Sequence, residues 1–231
     1  MSKFLSSRWT KVFACALCLV PLGLLLWRLF LLWKNGYDPE LTANPIEYIT
    51  HKTGDWTIRF ILITLGVTPL RKLLNQPKLT RYRRMLGLFA FFYGFLHLMT
   101  WMWLDKFFSV PEMVKDVVKR PYITAGMTGF ALMIPLAITS TAGWVRRLGF
   151  ARWQALHRLV YFTALAGVIH YYWLVKSDIR LPVMYGAILA VLMSYRLVMW
   201  LRSPAKRRPP VRQQKQTAEA ATTPNTASLR D

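Results

Sequence analysis

Apolar residues occupy most of the chain in long blocks that short polar segments separate. Each block holds about twenty residues, the length that an α-helix needs to cross a ~30 Å hydrocarbon core at 1.5 Å per residue. The pattern predicts six membrane spans at residues 12–33, 56–74, 86–104, 123–140, 153–175 and 181–201. We therefore expect an all-α membrane protein whose fold is a six-transmembrane-helix bundle.

Polar segments flank these spans at both ends of the chain. Residues 1–11 form a short basic N-terminus, and residues 202–231 are polar with a basic start. The last segment has too little apolar surface to fold, so we predict a disordered tail. The predicted organisation is an N-terminal segment, one transmembrane domain over residues 12–201, and this tail.

Composition supports a membrane protein: 54% of the 231 residues are hydrophobic and only 18% are charged. The net charge of +21 comes from basic residues that lie between the spans. We therefore predict contact with anionic lipid head groups and no binding of nucleic acid.

The distribution of charge predicts the orientation. Nineteen Lys or Arg and no acid lie in residues 1–11, 71–84, 146–158 and 202–215. Eight Lys or Arg and eight Asp or Glu lie in residues 34–55, 105–120 and 176–180. Because Lys and Arg accumulate on the cytoplasmic side, both termini are predicted to lie inside and the three loops outside.

Two cysteines, Cys15 and Cys18, lie in the first span. Their apolar surroundings indicate packing and not redox chemistry. The acids fall in the outside loops and the tail, so no predicted span carries a carboxylate, which disfavours a cation-coupled transporter. Arg28 and Arg59, near the outer edge, are expected to reach the interface with their charged ends.

The spans do carry histidine: His97 lies in the third, and His157 and His170 lie in the fifth. Counted from the span ends, His97 and His170 lie roughly 9 to 12 Å below the outer surface, so they could bind one haem from opposite sides. His51 precedes the second span and is interpreted as a surface residue.

His157 lies about 20 Å nearer the cytoplasm than His170, at a separate membrane level that could hold a second haem. Thirteen residues leave the two histidines on different faces of a straight helix, which predicts a bend near Gly167 or haems on different sides. Fourteen residues before His97 stands Arg83, which could pair with a haem propionate or a flavin phosphate, or act as a positive-inside anchor.

Several stretches together resemble a known family. They are HKTGDW at 51–56, TLGVTPLR at 64–71, RRMLGL and FFYGFLH between 83 and 97, RPYITAGMTG at 120–129, LAITST at 136–141, and RWQALHRLVY and IHYYWLVK between 152 and 176. The chain resembles the haem-binding membrane subunits (MsrQ) of bacterial protein-methionine-sulfoxide reductase systems (MsrPQ), within the ferric-reductase-like transmembrane superfamily.

The resemblance implies a b-type cytochrome of the bacterial inner membrane with one or two haems, an FMN at an unknown position, and His97, His157 and His170 as axial ligands. Arg83 departs from a four-histidine pattern. Electrons would come from the quinone pool or from a cytosolic flavin reductase. They would pass to a periplasmic molybdopterin-containing subunit, the partner in a heterodimer, which reduces methionine sulfoxide in proteins during protein repair.

Two other functions stay open from the sequence. One is a small transporter or channel with structural histidines, and the other is a metalloreductase that acts directly on ferric iron. The sequence holds no G-x-G-x-x-G motif and no soluble nucleotide-binding domain, so the chain is not expected to oxidise a nicotinamide cofactor by itself. Whether the chain is itself an enzyme is not decided by the sequence.

Overall fold

The computed structural model of the chain describes residues 7–39, 41 and 44–202. Within them the secondary structure is helical, and the described part contains no strand. The α-helices are α1 (Arg8–Asn35), α2 (Pro45–Leu73), α3 (Thr80–Met99), α4 (Val110–Lys119), α5 (Pro121–Ile138), α6 (Ala142–Leu148), α7 (Phe150–Leu156), α8 (Leu159–Leu174) and α9 (Arg180–Leu201). The predicted tail beyond residue 202 and the first six residues of the predicted N-terminal segment lie outside the described residues.

The chain divides into two compact units, Met1–Met193 and Ser194–Asp231. The first unit contains every helix up to α8 and most of α9. The described part of the second unit, residues 194–202, is the end of α9 followed by one turn residue. All contacts discussed below lie within the first unit.

Four helical stretches of the described chain are long and apolar enough to cross a membrane: α1, residues 77–105, α5 and α9. The prediction of an all-α membrane protein is confirmed, but the count of six spans is approximate. The second predicted span lies in α2, which is not among the four because charged residues interrupt its apolar sequence. In the fifth, α8 is only 16 residues long.

Helix α2 begins eleven residues before the predicted second span. The side chain of Asn44 accepts a hydrogen bond from the backbone N–H of Glu47 at 3.3 Å, and Pro45 occupies the first helical position. Both features favour a helix start. Asp55 therefore lies inside a long helix and not in a loop, one residue before the start of the predicted second span.

The fifth predicted span is interrupted near its N-terminal end. Helix α7 ends at Leu156, and α8 begins at Leu159, with His157 and Arg158 in a turn between them. The irregularity lies there and not near Gly167, which is inside the continuous helix α8. Because of this turn, the angle between His157 and His170 cannot be calculated from thirteen residues of one straight helix.

The loop predicted at residues 105–120 is largely helical. A π-helical segment, Thr100–Asp105, extends α3, and α4 follows it. The ammonium group of Lys106 lies 2.7 Å from a carboxylate oxygen of Asp116 and 3.3 Å from one of Asp105. Contact with the Asp116 carboxylate raises the pKa of Lys106, so its ammonium group stays charged throughout the physiological pH range.

The core of the first unit combines aliphatic side chains with a few aromatic ones, and Tyr93 of α3 is buried in it with 1% exposure. Its ring stacks on Phe60 of α2, with centroids 5.3 Å apart. Its hydroxyl accepts a hydrogen bond from the Leu22 N–H at 3.1 Å and donates one to the Cys18 carbonyl at 2.9 Å. Tyr93 thereby fastens α1 to α3 just past Pro21, where the helix lacks a backbone donor.

Helix α2 packs mainly against α3, and α5 packs mainly against α8. These two helix pairs surround the site described next. Cys18 is buried, Cys15 is half-buried, and both thiols are free, in agreement with their predicted packing role.

Candidate haem-binding site

A cavity of about 510 Å³ lies between the two helix pairs. Its inner wall includes Met133 and Thr163, and it extends to residues at the ends of α2 and α5, such as Asn44 and Arg120. Cofactor sites commonly have volumes of roughly 300 to 1,000 Å³ and predominantly apolar walls, so the cavity is large enough for a flat cofactor.

Two of the predicted ligands, His97 of α3 and His170 of α8, project into this cavity from opposite helix pairs. Their ring centroids are 5.9 Å apart, and the ring planes make an angle of 79°. A metal–imidazole bond is about 2 Å long and the ring centroid lies about 1 Å beyond the nitrogen, so two imidazoles on opposite sides of one iron have centroids about 6 Å apart. The observed separation matches this arrangement.

The Nδ1 atom of each ring contacts a main-chain carbonyl on a neighbouring helix. His97 Nδ1 lies 2.9 Å from the Thr50 oxygen on α2, and His170 Nδ1 lies 2.6 Å from the Tyr122 oxygen on α5. Because a carbonyl can only accept, each Nδ1 must carry the proton and donate. The Nε2 atom of each ring is then unprotonated, which is the form that binds a metal.

Each of the two rings packs against a glycine on a neighbouring helix. A Cβ atom on Gly126 would lie 2.7 Å from His170 Nδ1, and one on Gly54 would lie 3.0 Å from His97 Nδ1. Any side chain at either position would displace the imidazole that packs against it. These close approaches explain why the cavity wall has glycine opposite each histidine.

The residues present fit a haem. No group of three or more His, Cys, Asp or Glu side chains in the described part of the chain could hold a metal ion. Two facing imidazoles supply only the axial pair, so the remaining ligands of an iron between them must come from a non-protein group such as a porphyrin. The cavity surrounds the space between the imidazoles.

His157, the third predicted ligand, lies elsewhere. Its ring packs on Trp153 with centroids 4.0 Å apart, and its Nδ1 lies 3.1 Å from the Trp153 carbonyl oxygen. Its Nε2 is buried with no hydrogen-bond partner among the described residues. Arg83 and Arg84 lie close enough to interact with it electrostatically, so the structure brings Arg83 and His157 to one level.

His51, interpreted from sequence as a surface residue, has a side chain that is 46% exposed and lies 4.0 Å from Glu47. It nevertheless lines the cavity. Sequence reasoning did not identify the carbonyls of Thr50 and Tyr122, because no sequence pattern shows which carbonyl a distant ring will meet. The opposing glycines had a weak signal, since glycine inside an apolar helix often marks a close approach.

Sequence reasoning also missed a polar cluster beside the cavity. Arg59 of α2, predicted to reach the interface, has two partners that the sequence did not indicate: its Nε donates to the Tyr185 hydroxyl at 2.8 Å, and an Nη donates to Asp55 at 2.9 Å. Arg28, the other predicted interfacial arginine, pairs with Asp38 at 3.2 Å.

Comparisons with known proteins agree with this site. The family model described as "Ferric reductase like transmembrane component" matches residues 53–168. The chain is 58% identical over 163 residues to the "Protein-methionine-sulfoxide reductase heme-binding subunit MsrQ" of Herminiimonas arsenicoxydans, which covers 70% of this chain and 74% of that protein. It is 47% identical over 192 residues to the protein of the same name from Caulobacter vibrioides, with coverage of 83% and 88%.

Proposed function

The chain belongs to the MsrQ family of haem-binding subunits of protein-methionine-sulfoxide reductase, and on this premise we propose that it is a b-type cytochrome that passes electrons to a reductase subunit. The observation that carries the proposal is the pair His97 and His170. Their rings face each other at the separation that one iron requires, and a carbonyl orients each of them.

In this function the two imidazoles hold a haem in the cavity as its axial ligands. Haem supplies a one-electron couple when bound. With both axial positions filled by nitrogen, no open coordination site is left for oxygen, which suits electron transfer better than oxygen chemistry. Gly54 and Gly126 pack against the rings, and much of the cavity wall around them is apolar.

We assign His157 and Arg83 to a second, inner level of the path. The burial of His157 Nε2 and its proximity to Arg83 and Arg84 support a ligand role at this level. Arg83 lies 14 residues before His97 in the same helix, about 21 Å away along the axis. In this role its guanidinium pairs with a haem propionate or with the phosphate of an FMN, and the chain binds one or two haems accordingly.

The proposed donor is the quinone pool or, through FMN, a cytosolic flavin reductase. The proposed acceptor is a periplasmic molybdopterin-containing subunit that reduces methionine sulfoxide in proteins and forms a heterodimer with this chain. The chain lies in the inner membrane with both termini in the cytoplasm. This orientation places the cavity near the periplasmic surface, because residues of two predicted outside loops, 34–55 and 105–120, contribute to its wall.

The test is the haem spectrum of purified variants. We expect the wild-type protein to show a Soret band that shifts on reduction with dithionite. His97→Ala and His170→Ala should each abolish the low-spin signal of the outer haem, since each leaves iron with one axial ligand. His51→Ala is the matched control, because this half-exposed histidine borders the same cavity but pairs with Glu47, and it should keep the wild-type spectrum.

Wild-type protein without haem would support a transporter with structural histidines instead. Full haem content and an unchanged spectrum in both His97→Ala and His170→Ala would refute the assignment of the axial pair. Activity on ferric iron without any partner subunit would favour a direct ferric reductase.

A further inference from the structure

A hydrogen-bonded cluster of three polar side chains lies on the membrane helices beside the cavity. Arg59 of α2 contacts Asp55 at 2.9 Å and the Tyr185 hydroxyl at 2.8 Å, and that hydroxyl lies 3.4 Å from the second oxygen of Asp55. Trp56 covers one face of the guanidinium, 4.9 Å from its ring centroid. The cluster ties α9 to α2.

Arg59 lies within the predicted second span, where an ionised side chain is expensive and usually serves a function. Hydrogen bonds to Tyr185 and Asp55 use two of the five N–H groups of Arg59. No described residue accepts a hydrogen bond from the other three. A site in the membrane with donors left over is suited to a ligand that offers oxygen acceptors.

The cluster faces two environments. Asp55 lines the cavity, and its side chain is only 15% exposed. Arg59 does not line the cavity, yet 38% of its side chain is exposed, so its guanidinium can also be reached from outside the cavity. Tyr185, 3% exposed, contacts both of them through its hydroxyl. The three side chains thus connect a surface outside the cavity to the cavity that contains His97 and His170.

We propose that Asp55, Arg59 and Tyr185 form the site at which a membrane quinol is oxidised. This proposal rests on the proposed function, because it needs a haem in the cavity as the electron acceptor. A quinol arrives from the lipid, carries two ring hydroxyls, and must lose protons together with electrons. The cluster offers it hydrogen-bond donors, a proton acceptor and an aromatic wall at the edge of the cavity.

The chemistry balances over two rounds. Oxidation of one quinol to a quinone breaks two O–H bonds and releases two protons and two electrons. In each round Asp55 would accept one proton, and a haem held by His97 and His170 would accept one electron. Asp55 then releases its proton to water and the partner subunit takes the electron, so that the second round can follow. Arg59 and Tyr185 hold the quinol oxygens throughout.

The site makes the outer haem the entry point for quinol electrons. Asp55 follows Gly54, whose backbone packs against His97, so the cluster lies at the level of the outer pair. Electrons from a quinol need not pass the level of His157. Electrons from a cytosolic reduced flavin would have to cross it.

The first experiment measures the rate of haem reduction in the purified haem-loaded chain after mixing with decylubiquinol or, separately, with menadiol. Asp55→Asn keeps an acceptor for Arg59 but cannot take up a proton in place of the carboxylate. We expect reduction by both quinols to slow by about 100-fold, the scale of a lost general base. The amount of haem that dithionite reduces should not change.

The second experiment measures binding of the quinol analogue 2-heptyl-4-hydroxyquinoline N-oxide by fluorescence titration. Tyr185→Phe removes one hydroxyl and should raise the Kd of the analogue by about tenfold, as expected for one lost hydrogen bond. Asp38→Asn is the control for both experiments. It alters another buried carboxylate that pairs with an arginine, Arg28, but Asp38 does not line the cavity.

Wild-type rates in Asp55→Asn and wild-type analogue binding in Tyr185→Phe would show that the cluster is a structural ion pair and overturn the proposal. If Asp55→Asn fails to assemble, Tyr185→Phe decides by its Kd and its quinol rate. A wild-type haem that dithionite reduces but neither quinol reduces refutes this inference alone. A wild-type chain without reducible haem refutes the proposed function as well.

Discussion

At the scale of single residues, main-chain groups and not side chains set the positions of the two facing imidazoles. Each ring donates to a carbonyl, at Thr50 or at Tyr122, and packs on a glycine. Substitutions that keep the backbone leave the carbonyls unchanged. The sensitive positions are therefore the glycines.

Gly126→Ala should disturb the site without touching a ligand. Its Cβ would lie 2.7 Å from His170 Nδ1, closer than real Cβ contacts, so the imidazole must move away from the Tyr122 carbonyl. We expect reduced haem content and a partly high-spin spectrum, measured by absorbance and electron paramagnetic resonance. Gly66→Ala, whose Cβ would meet nothing within 4 Å, is the control. A wild-type spectrum in Gly126→Ala would mean that the ring can shift without cost.

The sequence predicts the facing histidines well, because helical rise converts distance from a span end into depth. His97 and His170 come out at one level by this count, and the structure brings their rings together. The same reasoning cannot show the contacts of Arg59. A single arginine near a span end is compatible with the interface, and only the packing of α9 on α2 shows that Tyr185 lies within reach.

At the scale of the helices, α1 depends on one side chain from α3. The hydroxyl of Tyr93 bonds the Leu22 N–H and the Cys18 carbonyl, which in a regular helix bond each other. Such an insertion is a recognised cause of helix bending, and it follows Pro21 directly.

Tyr93→Phe should lower the stability of the folded protein by about 1 to 2 kcal/mol, the usual loss for a buried hydroxyl that leaves its partners unpaired. The measurement is thermal unfolding in detergent, followed by circular dichroism. Tyr172→Phe is the control, since Tyr172 is 48% exposed. Equal melting temperatures for the two variants would show that α1 closes its own hydrogen bond once the hydroxyl is gone.

Helix types were more predictable than helix ends. The apolar blocks located α1, α3, α5 and α9 because burial in lipid requires continuous hydrophobicity. The start of α2 was missed, although Asn44 followed by Pro45 is a recognisable start signal. Helix α4 was missed because it is amphipathic and short, so it produces no apolar block. The turn at His157 follows from local packing on Trp153, which the sequence does not express.

At the scale of the whole molecule, the orientation stays a prediction from charge. Reporter fusions after Lys34, Lys106 and Lys176 should be active in the periplasm and inactive in the cytoplasm, because the segments with 19 basic residues and no acid resist translocation. A fusion after Arg202 is the control and should show the opposite pattern. Cytoplasmic activity at the first three positions would invert the molecule and place the cavity on the wrong side for a periplasmic acceptor.

Each imidazole and its carbonyl belong to one of the two closely packed helix pairs: His97 and Thr50 to α3 and α2, His170 and Tyr122 to α8 and α5. Each pair can therefore finish its half of the site alone, during membrane insertion and before any iron arrives. The cofactor would enter last and bridge two completed halves. During biogenesis, haem supply would then limit the number of haem-loaded chains but not the number of folded chains. The protein without haem would remain folded in the membrane and able to bind the cofactor.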